Sequence, residues 1–292
     1  MRPPPGWRAL NTPTTRAPWI KALAWLVAAG ALVLAVLAAC SGPRIDRSLS
    51  TPDQRSRVKY LILHYTVTDT PQSIRIFTHK AGVEASIHYL LSDDPRPVIY
   101  GIVDESRAAY QAGGDSGWKG DRNLNNMSIG IEIVNAGWND GPKGRSWAPY
   151  RDKQIDTLIP LVKDIMARHH IAPEHVLGHA DIAPQRKQDP GALFPWQRLA
   201  AEGIVPWPDP DIAARKRIEY AADLPDLLWF QRRLAALGYV VPQDGQASQE
   251  TRNVLAAFQT HYRPARIDGE PDAETAALLD SPMRVRAAAG KD

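Results

Sequence analysis

The segment Val58–Thr66, VKYLILHYT, decides the fold class of this 292-residue chain. It is rich in branched and aromatic residues, as expected of a buried β-strand, and one histidine, His64, stands near its end. Four further segments have a similar composition: Ser86–Ser92, Val98–Asp104, Ser128–Asn135 and His175–His179. They alternate with segments of helical periodicity at Thr70–Lys80 and Asp152–His169, so the sequence predicts an α/β domain over residues 58–205.

A second, smaller domain is predicted after this one. The segment 206–210 contains three prolines within five residues, and we predict a proline-rich linker over 206–221 because no helix or strand interior continues through them. Beyond it, DGQASQET (Asp244–Thr251) recurs 24 residues later as DGEPDAET (Asp268–Thr275). Each copy is typical of a turn that enters a helix, so a small all-α domain is expected over residues 222–282.

The N-terminal segment has the composition of an export signal. Residues 1–21 carry four basic and no acidic side chains, and residues 22–39 are apolar throughout. The run ends in Leu-Ala-Ala-Cys at positions 37–40, which resembles the lipobox of bacterial lipoproteins, and Cys40 is the single cysteine of the chain. Cleavage before Cys40 leaves its thiol acylated, with residues 40–57 as a lipidated tether. A membrane helix retained in the mature protein is the alternative.

Both interpretations place the remaining chain outside the cytoplasm. We predict that residues 1–39 are a lipoprotein signal peptide and that the mature protein faces the periplasm. Ser41 follows the cysteine, where aspartate favours retention in the inner membrane of Gram-negative bacteria, so we expect an anchor in the outer membrane.

Removal of the signal peptide makes the chain nearly neutral. Residues 1–39 contain four of the 35 lysines and arginines and none of the 32 acidic residues, which leaves 31 basic against 32 acidic side chains. A chain of this charge lacks the broad positive surface of a nucleic-acid binder, so no nucleic-acid partner is expected. With one cysteine there is no internal disulfide, and folding must rest on an apolar core or a metal.

Three side chains of the first domain could form a metal site. His64 ends a buried strand, and His179 and Asp189 follow more than one hundred residues later. Two histidines and a carboxylate are a set that catalytic zinc uses, with its fourth position left for a water molecule whose pKa the metal lowers. The spacing alone leaves a structural role open, because the chain has eight histidines and most histidines are packed or exposed.

Three segments of the first domain resemble a known enzyme family. They are LILHYT (Leu61–Thr66), NMSIGIE (Asn126–Glu132) and GHADIAPQRKQDPG (Gly178–Gly191), and together they resemble the type 2 N-acetylmuramoyl-L-alanine amidases over about residues 55–205. That family shares its fold with peptidoglycan recognition proteins. The resemblance implies a mixed central β-sheet flanked by helices.

The tail resembles a second family. WFQRRLAALGY (Trp229–Tyr239), together with the internal repeat, is similar to the peptidoglycan-binding type 1 domain, a three-helix module. The resemblance leaves open whether this copy binds the cell wall or only packs on the first domain.

The first resemblance implies roles for individual residues. It places zinc on His64, His179 and Asp189, whereas Asp181, the competing carboxylate, is expected to structure its loop. Glu132 interrupts an apolar strand pattern, and the family makes it the general base. Its alternative is a solvent-facing or salt-bridged carboxylate.

Lys187 matches the family's catalytic lysine, which stabilises negative charge on the carbonyl oxygen. Its alternative is a solvated loop lysine.

The chain departs from the family at Ile87, where phage-type relatives carry a catalytic tyrosine, and at Gln111, where many relatives have histidine. We expect Glu132 to take over the tyrosine's role, and substrate contacts near Gln111 to differ.

Three tryptophans lie in loops of the first domain: Trp118, Trp138 and Trp147. They could stack on a sugar or hold their loops in place by packing, and packing is the expected role.

The implied reaction is hydrolysis of the amide between N-acetylmuramic acid and the L-alanine of the stem peptide, in peptidoglycan or in soluble muropeptides. A non-catalytic peptidoglycan-binding lipoprotein is the alternative from another class, because recognition proteins of this fold can lack zinc. The presence of all three ligand residues argues against it.

Overall fold

The computed structural model describes residues 45–78, 85–142 and 144–286. The predicted signal peptide and the predicted acylation site, Cys40, lie outside these ranges. The described residues from Arg55 onward form one compact unit, and residues 45–54, which belong to a separate unit, are exposed and have no regular secondary structure. Among the helices in the described ranges, none is both long enough and apolar enough to cross a membrane.

The α/β domain contains a five-stranded sheet with the order β3-β2-β6-β1-β9. The strands of the α/β domain are β1 (Tyr60–Tyr65), β2 (Tyr89–Leu91), β3 (Ile99–Gly101), β4 (Gly117–Trp118), β5 (Asp121–Arg122), β6 (Ser128–Ile133), β7 (Trp138–Gly141), β8 (Gly144–Trp147) and β9 (Val176–Gly178). β1 runs parallel to both β6 and β9, β2 is parallel to β6, and β3 is antiparallel to β2. The predicted mixed sheet is therefore confirmed.

The helices cover the sheet and build the second domain. They are α1 (Thr70–Thr78), α2 (Asp152–His169), α3 (His179–Ile182), α4 (Trp196–Ala201), α5 (Pro210–Ala222), α6 (Leu227–Leu237), α7 (Gln249–Tyr262) and α8 (Ala273–Leu279). The apolar side of α2, with Leu158 and Val162 fully buried, packs against the strand residues Leu63 and Ile131. This layer holds the central strands in place behind the site.

The structure differs from the prediction in the segment 206–221, which is mostly helical rather than a linker. Asp209 caps α5, because its carboxylate accepts hydrogen bonds from the backbone amides of Asp211 and Ile212. Pro210 stands in the first turn, where a missing N–H costs no hydrogen bond. The preceding residues form a short strand, β10 (Trp207–Pro208), that pairs with β11 (Met283–Arg284).

Each copy of the sequence repeat ends in a capped helix in the C-terminal domain, residues 222–282. Ser248 and Asp272 accept hydrogen bonds from the backbone amides of Thr251 and Thr275 at the starts of α7 and α8. A buried glutamine supports each turn from within: Gln231 accepts from the Gly245 amide and donates to Thr251, and Gln259 accepts from the Gly269 amide and donates to Thr275. The repeat thus specifies two equivalent hydrogen-bonded turns.

The two domains share one apolar core. Phe258 of α7 is fully buried in a cluster that also contains Tyr60 of β1, Leu177 of β9 and Ile182 of α3. A polar contact lies beside this cluster, where the Asp181 carboxylate accepts from the Tyr239 hydroxyl at 2.6 Å and pairs with Nδ1 of His261 at 2.9 Å. The C-terminal domain is therefore packed onto the face of the sheet opposite α2, through both apolar and polar contacts.

A shared core predicts cooperative unfolding of both domains. Phe258→Ala should lower the free energy of unfolding by about 3–5 kcal/mol, because it leaves a cavity in the shared core. Chemical denaturation followed by far-UV circular dichroism and by tryptophan fluorescence should give one coincident transition. The matched control is Ile218→Ala at a side chain that is 76% exposed, with an expected change within about 0.5 kcal/mol. Two separate transitions would contradict the shared core.

Candidate active site

The site lies where the parallel central strands end. In the pairing of β1 with β6, His64 stands opposite Glu132, so the two side chains lie on neighbouring strands near the same end of the sheet. On the other side of β1, strand β9 ends at Gly178 and the next residue, His179, begins α3. Because the carboxyl ends of parallel strands meet at one edge, residues far apart in sequence converge there.

His64, His179 and Asp189 form the candidate metal centre. Nδ1 of His64 lies 3.0 Å from Nδ1 of His179 and 2.9 Å from Oδ2 of Asp189, and the third separation, from His179 Nδ1 to Asp189 Oδ2, is 3.1 Å. The three side chains are 1%, 3% and 6% exposed. They form the one group of three or more potential ligands that converges within the described part of the chain.

The donor set fits a small divalent cation. Ligands of a tetrahedral metal with bonds of about 2.0–2.1 Å stand about 3.3 Å apart, close to the separations in this triangle. Burial lowers the pKa of His179 to about 4, so its ring is neutral, as a ligand must be. The neighbouring histidines hold the pKa of Asp189 well below its usual range despite burial, so this carboxylate is charged.

A relay of hydrogen bonds fixes the tautomer of His64. The Ser128 hydroxyl donates to the carbonyl oxygen of Leu124 at 2.6 Å, so it accepts from the amide nitrogen of Gln111 at 2.7 Å. That orientation turns the Gln111 amide oxygen toward Nε2 of His64, 2.6 Å away. Because this oxygen only accepts, Nε2 carries the proton and Nδ1 presents its lone pair to the metal position.

Sequence reasoning singled out Gln111 but missed its contact with His64. The expectation was a changed substrate contact at this position, whereas the structure places its amide oxygen on His64 while the side chain also lines the cleft. Gln111 lies in a loop 47 residues after His64, and no local sequence pattern indicates that the two side chains are in contact.

Asp181 does not join the candidate metal centre. Its carboxylate accepts from the backbone amide of Gly178 at 2.8 Å, in addition to its contacts with Tyr239 and His261. It therefore holds the turn that carries His179, and it links that turn to the C-terminal domain.

Glu132 lies beside the candidate metal centre, and one of its carboxylate oxygens makes no hydrogen bond with a described residue. The side chain lines the cleft, while its Oε2 is enclosed and has no hydrogen-bond partner among the described residues. Burial raises the pKa of Glu132 to about 8 in the absence of a metal, and the charge of Asp189 adds to this shift. The positive charge of Lys187 opposes it, and a bound cation would lower the pKa further.

The catalytic cleft, as we call the depression above these residues, has a volume of about 840 Å³. Lys187 lines it, and its side-chain ammonium makes no hydrogen bond or ion pair with another described residue. Trp138 also lines it, with its ring 40% exposed and the Arg145 guanidinium 3.9 Å from the ring centre. Ile87 is fully buried, so it presents no side chain where phage-type relatives use tyrosine.

The other two loop tryptophans pin the structure. Trp118 is 4% exposed and packs edge-on against Tyr239 of the C-terminal domain, with ring centres 4.8 Å apart. Trp147 packs on Tyr65, with ring centres 6.5 Å apart, and lies beside Gly191. Trp138 therefore differs from them in its exposure to the catalytic cleft.

The fold and this site define an amide hydrolase with a metal-binding centre. Residues 54–192 match the family model described as N-acetylmuramoyl-L-alanine amidase, and residues 223–279 match a model of a peptidoglycan binding domain. The chain belongs to the N-acetylmuramoyl-L-alanine amidases. It is 42% identical over 275 residues to the N-acetylmuramoyl-L-alanine amidase AmiD of Escherichia coli K12. The aligned region covers 88% of this chain and 95% of AmiD.

Two solved structures with bound muropeptides have a similar fold. One is E. coli AmiD with the substrate anhydro-N-acetylmuramic acid-L-Ala-D-gamma-Glu-L-Lys, with a TM-score of 0.72 and 42% identity over 82% of this chain and 94% of that one. The other is AmpDh3 of Pseudomonas aeruginosa with anhydromuramic pentapeptide, with a TM-score of 0.73 and 36% identity over 82% of this chain and 97% of that one. Both matches extend beyond the catalytic domain into the C-terminal domain.

The relay through Gln111 predicts a loss of metal affinity on its removal. Gln111→Leu should weaken zinc binding about 10–100-fold, because the His64 ring loses the acceptor that fixes its tautomer and orientation. Competition with a chromogenic chelator measures this directly. The control is Gln72→Leu on the exposed surface of α1, which should leave zinc affinity unchanged. An unaltered dissociation constant for Gln111→Leu would show that the relay does not support the metal centre.

Proposed function

We propose that this protein is a zinc amidase that cleaves the amide between the lactyl group of N-acetylmuramic acid and the L-alanine of the stem peptide. The observation that carries the proposal is the convergence of His64, His179 and Asp189 beside Glu132 at an open cleft. Peptidoglycan and muropeptides are the proposed substrates, which agrees with the muropeptides bound in both similar structures.

Zinc is the metal that best suits this donor set. Two imidazole nitrogens and one carboxylate oxygen are ligands that catalytic zinc uses, and three protein ligands leave one position open toward the cleft. When bound, zinc would supply Lewis acidity and lower the pKa of a water molecule at the site.

Glu132 acts as general base and then as general acid. Its carboxylate lines the catalytic cleft beside the candidate metal centre, so it can take a proton from the attacking water as the water oxygen bonds to the carbonyl carbon. The same carboxyl group then gives the proton to the leaving nitrogen as the C–N bond breaks. The products are a lactyl carboxylic acid on the sugar and a stem peptide with a free amino terminus.

Lys187 stabilises the negative charge that develops on the carbonyl oxygen. It lines the catalytic cleft and has no competing ion pair among the described residues, so its ammonium group is available to the substrate.

We also propose that the protein is a lipoprotein of the outer membrane that faces the periplasm. The basic residues at 1–21, the apolar run at 22–39 and the phrase ending in Cys40 support this anchor. The substrate supports the same location, because peptidoglycan lies in that compartment.

The proposed reaction is tested on purified peptidoglycan with the soluble protein from Ser41 onward. Mass spectrometry should detect stem peptides that begin with L-alanine, absent after chelation and restored by zinc. Glu132→Gln should retain zinc and lose about 10²–10⁴-fold in turnover, because the base is removed while the ligands stay. His179→Ala should lose zinc and activity together. Binding of wall and zinc by the wild-type protein without peptide release would instead identify a recognition protein.

The anchor is tested by expression of the full chain in a Gram-negative host. The mature protein should begin at an acylated Cys40 and fractionate with the outer membrane, and Cys40→Ala should incorporate no labelled fatty acid. Ser41→Asp is the matched variant, because it should remain acylated and move to the inner membrane. A mature protein that begins at Met1 would indicate a retained membrane helix.

A further inference from the structure

A second cleft lies between the two domains, and nothing in the catalytic scheme uses it. It has a volume of about 510 Å³ and receives side chains from both sides, with Trp147 and Gln188 from the α/β domain and Arg252, Asn253 and Ala256 from α7. We call it the interdomain cleft.

The interdomain cleft adjoins the catalytic cleft. Lys187 and Gln188 line both, so one loop forms the boundary between them. A ligand held at the candidate metal centre can therefore extend past this loop onto the surface of α7.

The wall of this cleft is preformed. The Gln185 side chain donates to the backbone oxygen of Glu250 at 3.1 Å and accepts from the amide of Asn253 at 2.9 Å. These hydrogen bonds tie the loop before Lys187 to α7, above the shared core that contains Phe258. A ligand would meet a surface that needs little ordering, which favours affinity.

The charges in the interdomain cleft favour an anion. Its one acidic lining residue, Asp268, is already paired with Arg266 at 2.6 Å. Lys187 has no ion pair among the described residues, and Arg252 pairs with Glu270 at 3.5 Å from Nε to Oε1, between two half-exposed side chains. An exposed ion pair of this length is weak, so the Arg252 guanidinium can exchange it for a carboxylate of a ligand.

The remaining polar groups suit a peptide backbone. Gln188 and Gln249 line the cleft, and the Gln188 amide nitrogen and the Gln249 amide oxygen have no hydrogen bond with another described residue. Such groups donate to and accept from peptide groups. The Asn253 amide is already bonded to Gln185 and Gln249. An anionic, amide-rich chain that begins at the candidate metal centre matches the stem peptide, because a γ-linked glutamate and the C-terminal residue each carry a free carboxylate.

We propose that the interdomain cleft is a subsite for the distal residues of the stem peptide, with a stem carboxylate bound by Arg252. This inference rests on the proposed amidase function and assigns the C-terminal domain a direct share in substrate binding. It also explains why the domain is fixed against the catalytic loop.

The test compares substrates of two lengths, N-acetylmuramoyl dipeptide and N-acetylmuramoyl pentapeptide, by kcat/KM. The wild-type enzyme should prefer the pentapeptide. Arg252→Ala should lower kcat/KM for the pentapeptide about tenfold through KM, because one charged hydrogen bond is lost, and leave the dipeptide within about twofold. Ala256→Trp, which fills the cleft without removing a charge, should have the same selective effect. Arg252→Lys should retain part of the preference.

Arg232→Ala on exposed α6 is the matched control, because it removes an arginine of the same domain outside the interdomain cleft. It should leave both substrates unaffected. An unchanged pentapeptide preference in Arg252→Ala and Ala256→Trp would overturn the subsite, and so would an equal loss on both substrates. If the variants instead affect substrates with longer glycans and not longer peptides, the cleft holds sugar and the assignment is wrong. A wild-type enzyme that cleaves neither substrate would contradict the proposed function itself.

Discussion

The parallel pairing of β1 with its two neighbours is the constraint on which the site depends. One register sets His64 opposite Glu132, and the pairing with β9 places His179 at the start of α3 beside them. A slip of one residue would turn His64 to the other face of the sheet, where the apolar layer under α2 lies. The burial of Leu61 and Leu63 in that layer opposes such a slip, so packing far from the cleft determines which side chains can meet a metal.

Much of this arrangement could be predicted from the sequence because its signals are local. Branched residues and helical periodicity predicted the central strands and α2, and the phrase from Gly178 to Gly191 predicted both His179 and Asp189 as ligands. Glu132 could be recognised as exceptional because a carboxylate interrupts an apolar strand. The structure brings these side chains to the same edge of the sheet, as the resemblance implies.

The remaining features depend on contacts that no local pattern reveals. Gln111 acts on His64 across the space between a loop and a strand, and its direction is set by a third residue, Ser128. The segment after Pro206 was predicted as a linker because prolines break helices, yet Pro210 stands where a helix tolerates one. The sequence repeat predicted the turns that lead into α7 and α8, but a repeat does not show which surface the C-terminal domain covers.

The core shared by the two domains has a consequence for the way this protein can be divided. The C-terminal domain matches a family model of its own, yet Phe258 and Tyr239 complete the packing around Tyr60, Leu177 and Asp181. A chain that stopped before α6 would leave this apolar surface and a buried carboxylate open to water. Such a fragment would expose surface that favours aggregation and proteolysis, so the gap between the two family matches is not a point at which the folded structure can be divided.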